Sequence, residues 1–285
     1  AAERGHKVTL FDKAQTIGGQ LNLAKMVPGK EEFWGLVDWF SEMLKSSGAE
    51  VKLGELVTSS DVIDFDEVIV ATGVSPRDPK IKGHEKNNVV SYVEVLNGTG
   101  QIGQKVAVIG AGGIGFDVSE YLVHENKSDN KQIEIPKWMK EWGVGDPNKT
   151  PGGLAESGPK PEAPVRQVIL MQRKKQKLGR NLGKTTGWIH RSALKMKNVQ
   201  MIGNVNYEEI TSEGIVVSDG ELRENPRLVS ADTVVICAGQ ESDRSLADEL
   251  IEKGKKVHII GGADVASELD AKRAIDQGVR LAISL

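Results

Sequence analysis

The sequence predicts an α/β fold of two nested Rossmann-like nucleotide-binding domains, on three observations. Lys105–Gly115 reads KVAVIGAGGIG, an apolar strand running into Gly110-x-Gly112-x-x-Gly115. Two segments then repeat: Asp66–Gly73 (DEVIVATG) is echoed by Asp232–Gly239 (DTVVICAG), and Val8–Asp12 (VTLFD) by Val168–Gln172 (VILMQ). Self-similarity of this kind points to two copies of one unit. Lastly, only the second copy carries the glycine loop. An acid closing the second strand normally lies about 20 residues after such a loop, yet Asp12 has only eleven residues before it. The first copy is therefore expected to lack its first strand and loop. Ala1–Arg4 would be the last turn of its first helix and Gly5 the closing glycine.

The elements follow in order. Val8–Phe11 is short and apolar, as in a buried parallel strand. Thr16–Leu23 is a glycine turn. Glu31–Ser47 has Phe33, Leu36, Val37, Phe40 and Leu44 at helical spacing, closed by Gly48. Glu50–Leu53 and Glu67–Ala71 are strands, Val89–Leu96 ends the first block, and Asn97–Gln104 is a hinge. In the second block Lys105–Ile109 is a strand and Ile114–Val123 a helix. Glu125–Arg166 is a long Pro-, Gly- and Lys-rich stretch, with a short helix near Trp138–Trp142. Gln167–Gln172 is the next strand and Trp188–Met196 a helix. Gln200–Ile202, Tyr207–Ile210 and Gly214–Val217 form an antiparallel flap, and Thr233–Ala238 closes the block. Val257–Ile260 is a strand. Asp264–Ser284 is a helix with Leu269, Ile275, Val279 and Ile283 on its apolar side. The second domain, 104–238, is thus expected to be inserted into the first, 1–103 plus 239–285.

Composition narrows the function. A net charge of −3 gives no global basic field for nucleic acid. The single Cys237 excludes an internal disulfide and an all-cysteine metal site within this chain, and reads as a core thiol. No apolar run approaches the 18 residues of a membrane span, and no signal peptide is visible, so a cytoplasmic setting is expected.

The glycine fingerprint explains itself physically. The first glycine permits the tight turn, the second lets the backbone approach a pyrophosphate, and the third lets helix pack on strand. N–H groups of the following helix hold the phosphates, so Gly110, Gly112, Ile114 and Gly115 are candidate contacts. Asp12 ends a strand where a carboxylate would accept hydrogen bonds from a ribose. In the second copy that place is Gln172, followed by Arg173 and Lys174. With no acid there and two cations beside it, a 2′-phosphate would be attracted, favouring NADP(H) over NAD(H). The competing reading of Arg173–Lys175 is a solvated basic face. Gly18, Gly19 and Gln20 are either a second phosphate approach or a plain turn. Thr72-Gly73 and Ala238-Gly239 mark where the domains join. Asp264 is either a helix N-cap or the start of a helix whose positive end faces a flavin. His190 reads as a structural histidine.

The segments VTLFDKAQTIGGQLNLAKMVPGKEEF, VIVATGVSPR, VAVIGAGGIGFDVSEYL, NLGKTTGWIHR, VVICAGQE and HIIGGADVASELDAKRAIDQG resemble the C-terminal half of the bacterial NADPH-dependent 2,4-dienoyl-CoA reductase family. Trimethylamine dehydrogenase is a more distant relative. The resemblance covers nearly the whole chain. It implies a pyridine nucleotide-disulfide oxidoreductase-like pair of domains, with Asp12, Gly19, Gln20, Thr72, Gly73 and Asp264 lining FAD. It equally implies Gly110, Gly112, Ile114, Gly115, Arg173 and Lys174 lining NADPH. It further implies an N-terminal barrel carrying FMN and a four-iron cluster, absent from this sequence, as the partner region. The expected activity is hydride transfer from NADPH to FAD within such an oxidoreductase, and this chain alone is not expected to reduce a dienoyl thioester. An alternative is a non-catalytic module holding ADP, as in trimethylamine-dehydrogenase-like proteins. A stand-alone disulfide reductase would need a Cys-x-x-Cys, which the sequence lacks.

Overall fold

A computed structural model describes residues 1–125, 134–267 and 270–285. The chain divides into two compact units. The first comprises residues 1–22, 32–77 and 239–285, the second 23–31 and 78–238.

In chain order, a 3-10 turn (Ala2–Arg4) closes on Gly5 in the left-handed region and leads to β1 (Thr9–Asp12). Then come α1 (Leu21–Ala24), α2 (Glu32–Ser47), β2 (Glu50–Leu53), α3 (Ser59–Val62), β3 (Val68–Val70) and β4 (Val74–Pro76). The second unit holds β5 (Val89–Ser91), α4 (Tyr92–Leu96), β6 (Lys105–Ile109), α5 (Gly113–Val123), α6 (Ile135–Trp142), β7 (Gln167–Met171) and α7 (Gly187–Met196). It continues with β8 (Gln200–Ile202), β9 (Val205–Thr211), β10 (Gly214–Asp219), β11 (Glu224–Ser230) and β12 (Thr233–Ile236). The chain returns to the first unit with β13 (Gln240–Ser242), α8 (Ser245–Glu252), β14 (Val257–Ile259) and α9 (Ala271–Ser284).

The second unit is built on a five-stranded parallel sheet in the order β5-β12-β6-β7-β8. Its strands are apolar on both faces because both faces are covered. Val106 and Val108 of β6 point to one side and share a core with Phe116, Val118 and Leu122 of α5 and Leu194 of α7. Ala107 and Ile109 point to the other, against Val205, Ile210, Ile215 and Val217. Those last residues belong to the antiparallel meander β9-β10-β11. Each fully buried Leu, Ile or Val contributes about 1.5–3 kcal/mol.

Four expectations about the second unit are corrected. Residues 78–103 belong with the second unit, not the first, because β5 pairs in parallel with β12 (Val89 beside Val234) and Tyr92, Val95 and Leu96 of α4 enter the α5 core. Residues 23–31 join it too, with Val27 buried in the same core. Gln200–Ile202 extends the parallel sheet beside β7 rather than the flap. The flap's third strand is β11, where only Val229 is buried and the other residues are exposed.

The first unit has two parallel strand pairs, β1 with β2 and β14 with β3, and an antiparallel pair, β13 with β4. Phe11, Phe65, Val68 and Ile259 pack around Val62, Val70 and Leu250, so both parallel pairs share one core. The Phe11 and Phe65 rings meet edge to face at 6.1 Å. The final helix begins at Ala271, not Asp264, because Asp270 caps it by accepting the Arg273 N–H at 2.7 Å. Ile275, Val279 and Ile283 lie on its exposed side, 44–61% accessible; Leu269 is outside the described residues. No helix among the described residues is long and apolar enough to cross a membrane.

Candidate functional site: the glycine loop of the second unit

The strand β6 ends in a turn only glycine can make. Gly110 has φ of 101°, and a side chain there would strike the Cys237 carbonyl. A Cβ on Gly115 would strike the Gly110 carbonyl, so these two glycines set how closely α5 lies against the strand end. Gly110 donates its N–H to the Met171 carbonyl at 2.8 Å, and Cys237 donates to Ile109 at 2.8 Å, locking the loop to β7 and β12. Gly112 differs from both. It is exposed, and a Cβ there meets nothing within 4 Å. As N-cap of α5 it stands where the helix's first N–H groups lack internal partners. Rigid backbone below and open space above fit an approaching diphosphate.

Beside the loop, β7 runs out at Met171. Gln172 is buried, and its Nε2 donates to the Lys174 carbonyl at 3.0 Å and to the Gln176 carbonyl. The side chain is therefore spent on bracing its own loop. Arg173, Lys174 and Lys175 stand exposed, with no ion pair among the described residues.

Two ion pairs flank the same helix. Lys30 Nζ meets Asp117 Oδ2 at 2.6 Å, and His190 Nδ1 meets Glu120 Oε2 at 3.4 Å. Burial pushes the Asp117 carboxyl above its ordinary range, against the pull of Lys30 and His190. The Glu120 hydrogen bond holds the His190 imidazolium above the usual histidine range, with Asp117 adding to it and Lys30 and burial opposing. Because the folded value is raised, this pair stabilises fully below the unfolded value of about 6.5 and is lost as pH rises through the folded value. Thermal melts of His190→Gln are expected below wild type near pH 6 and level with it near pH 9; a gap that persists or widens at high pH would contradict the assignment. Sequence reading passed over Lys30, Asp117 and Glu120: Lys30 and Asp117 lie 87 residues apart, and no local pattern joins them.

In the first unit, Asp12 ends β1 and accepts the Ala14 N–H at 2.9 Å. Gly18 and Gly19 both have positive φ, and Gly19 and Gln20 are exposed. Thr72 Oγ1 donates to the Asp243 carbonyl at 2.5 Å, and Gly73 turns with φ of 80°. Asp264 lies in a turn and accepts from Gln277 Nε2 at 2.9 Å, while Gln277 Oε1 receives the Gly261 N–H at 2.7 Å. It neither caps α9 nor stands at that helix's N-terminus; Asp270 does both. Cys237 is buried and its thiol is pushed far up by burial, so it stays a protonated core group. No cluster of three potential metal ligands exists among the described residues.

Residues 1–270 match the family described as pyridine nucleotide-disulphide oxidoreductase. The chain belongs to that family. Membership implies FAD and a nicotinamide dinucleotide as cofactors, and makes the chain an oxidoreductase module. A metal reductase of Desulforamulus reducens is 27% identical over 92% of this chain and 38% of its own length. A cinnamate reductase of Clostridium sporogenes is 27% identical over 93% of this chain and 34% of its own. The structure of a 2-naphthoyl-CoA reductase superposes with a TM-score of 0.79 at 22% identity, covering 100% of this chain and 37% of that one. The chain therefore spans little more than a third of the length of these relatives.

Proposed function

We propose that the chain is the electron-input part of a longer 2,4-dienoyl-CoA reductase-like flavoenzyme, passing hydride from NADPH to FAD. One observation carries the proposal: an open glycine loop stands beside exposed Arg173 and Lys174, and the usual ribose carboxylate is replaced by an inward-turned Gln172. A 2′-phosphate meets no acid there, and a guanidinium can grip it with two hydrogen bonds. Gly110, Gly112, Ile114 and Gly115 hold the diphosphate in residues 78–238. Asp12, Gly19, Gln20, Thr72, Gly73 and Asp264 line FAD in residues 1–77 and 239–285.

The cofactors supply the redox chemistry when bound, C4 of nicotinamide giving hydride and N5 of flavin accepting it. The side chains named here bind and orient; none has to act as acid or base. The two parallel pairs β1–β2 and β3–β14, around one core, leave edges that a further parallel strand would join. Such a strand, from a region beyond these residues, would bring the glycine loop that FAD needs. The same region would carry the FMN- and four-iron-cluster-bearing barrel that completes the electron path to the thioester.

Anaerobic mixing of the longer protein with NADPH tests the reading. Flavin absorbance is expected to bleach, and faster than with NADH. Nucleotide binding without bleaching would instead favour the rival, a structural ADP-holding module.

A further inference from the structure

The geometry points to a second coenzyme-binding group that no sequence motif marks: the hydroxyl of Tyr207, donating to the adenosine-side ribose of the dinucleotide. The inference rests on the reading of the glycine loop as a coenzyme clamp.

A ribose held at such a loop ordinarily gives its hydroxyls to the acid ending the second strand. Gln172 occupies that place here and is only 8% exposed, with its amide turned onto the Lys174 and Gln176 carbonyls. The ribose has no partner from it. The meander supplies a substitute. β9 enters alongside this loop, Asn204 N–H donating to Lys174 and Val205 N–H to Gln172, both at 3.3 Å. Val205 and Tyr207 share a face of the strand by its two-residue period, and both pack on the core beneath Ile109 and Met171.

Ile109 and Met171 are the last residues of β6 and β7, so Tyr207 packs against the strand ends that the loop caps. Yet its oxygen is closed to solvent and makes no hydrogen bond. A buried hydroxyl without an acceptor is unfavourable, and such groups call for a missing partner. The ligand chemistry fits. On an NADP ribose the 3′-hydroxyl adjoins the 2′-phosphate, and β9 starts against the loop that carries Arg173. Burial holds the phenol protonated far above neutrality, so it acts as a donor.

The test uses the whole protein and two measurements. In Tyr207→Phe, the Kd values for NADPH and NADH are both expected to rise about five- to tenfold. The ratio between them stays fixed, and the melting temperature without nucleotide is unchanged or higher. Unchanged Kd values in this variant overturn the inference, as does weaker binding matched by a lower coenzyme-free melting temperature. Independently of folding, the wild-type protein should bind ADP about fivefold more tightly than 3′-deoxy-ADP; equal affinities overturn it. If wild type binds none of these nucleotides, the clamp reading itself fails, which is a different result.

Discussion

Gly112→Ala is expected to weaken NADPH binding about 10- to 100-fold while leaving the fold in place. Its φ of −82° and ψ of −170° suit alanine, and the added carbon meets no protein atom within 4 Å. The stability change should stay within about 1 kcal/mol, the cost of alanine at an N-cap. What the methyl fills is the space a diphosphate needs to reach the backbone N–H groups. Hydrogen bonds to charged groups are worth about 1.5–3 kcal/mol each, which sets the loss. Gly110→Ala gives the contrasting result. That position combines a left-handed φ with a backbone carbonyl in the way, so stability falls by about 3 kcal/mol. Calorimetric titration beside thermal melts separates the two. Equal NADPH affinity in Gly112→Ala would mean that nothing binds over the loop.

Arg173→Ala is expected to raise the Kd for NADPH about 10- to 100-fold and leave NADH nearly unchanged. The side chain is exposed and without an ion pair among the described residues, so its removal strands no buried partner and should not alter folding. The loss corresponds to one charge-assisted contact with a 2′-phosphate. Lys174→Ala should act in the same direction but less, being a point charge rather than a planar fork. Because the attraction is between exposed charges, the preference for NADPH should shrink as salt rises. Parallel losses for both coenzymes would assign Arg173 to the diphosphate or to structure instead.

The core of this arrangement was legible because it is local. An apolar strand, four glycines and a helix fall within Lys105–Val123, and β6 and α5 form there. The flanking cations could be read for the same reason, since they directly follow a recognisable strand. What stayed hidden depends on distant partners. β5 reads like the end of the first block, and only its pairing with β12 reassigns it. β11 carries one buried residue, so its sequence lacks any alternation. Asp264 stands after two glycines and resembles a cap, but Asp270 supplies the hydrogen bond that starts α9. Lys30, Asp117 and Tyr207 are unremarkable in sequence and gain meaning only from what the fold brings against them.

On the proposed function, the loop at Gly110–Gly115, with Arg173 beside it, is built for a nucleotide bearing a 2′-phosphate. The most direct measurement compares the calorimetric affinities of 2′,5′-ADP and ADP for the wild-type protein at low ionic strength. 2′,5′-ADP is expected to bind at least about tenfold more tightly, one charge-assisted contact's worth. Equal affinity, or a preference for ADP, would contradict it.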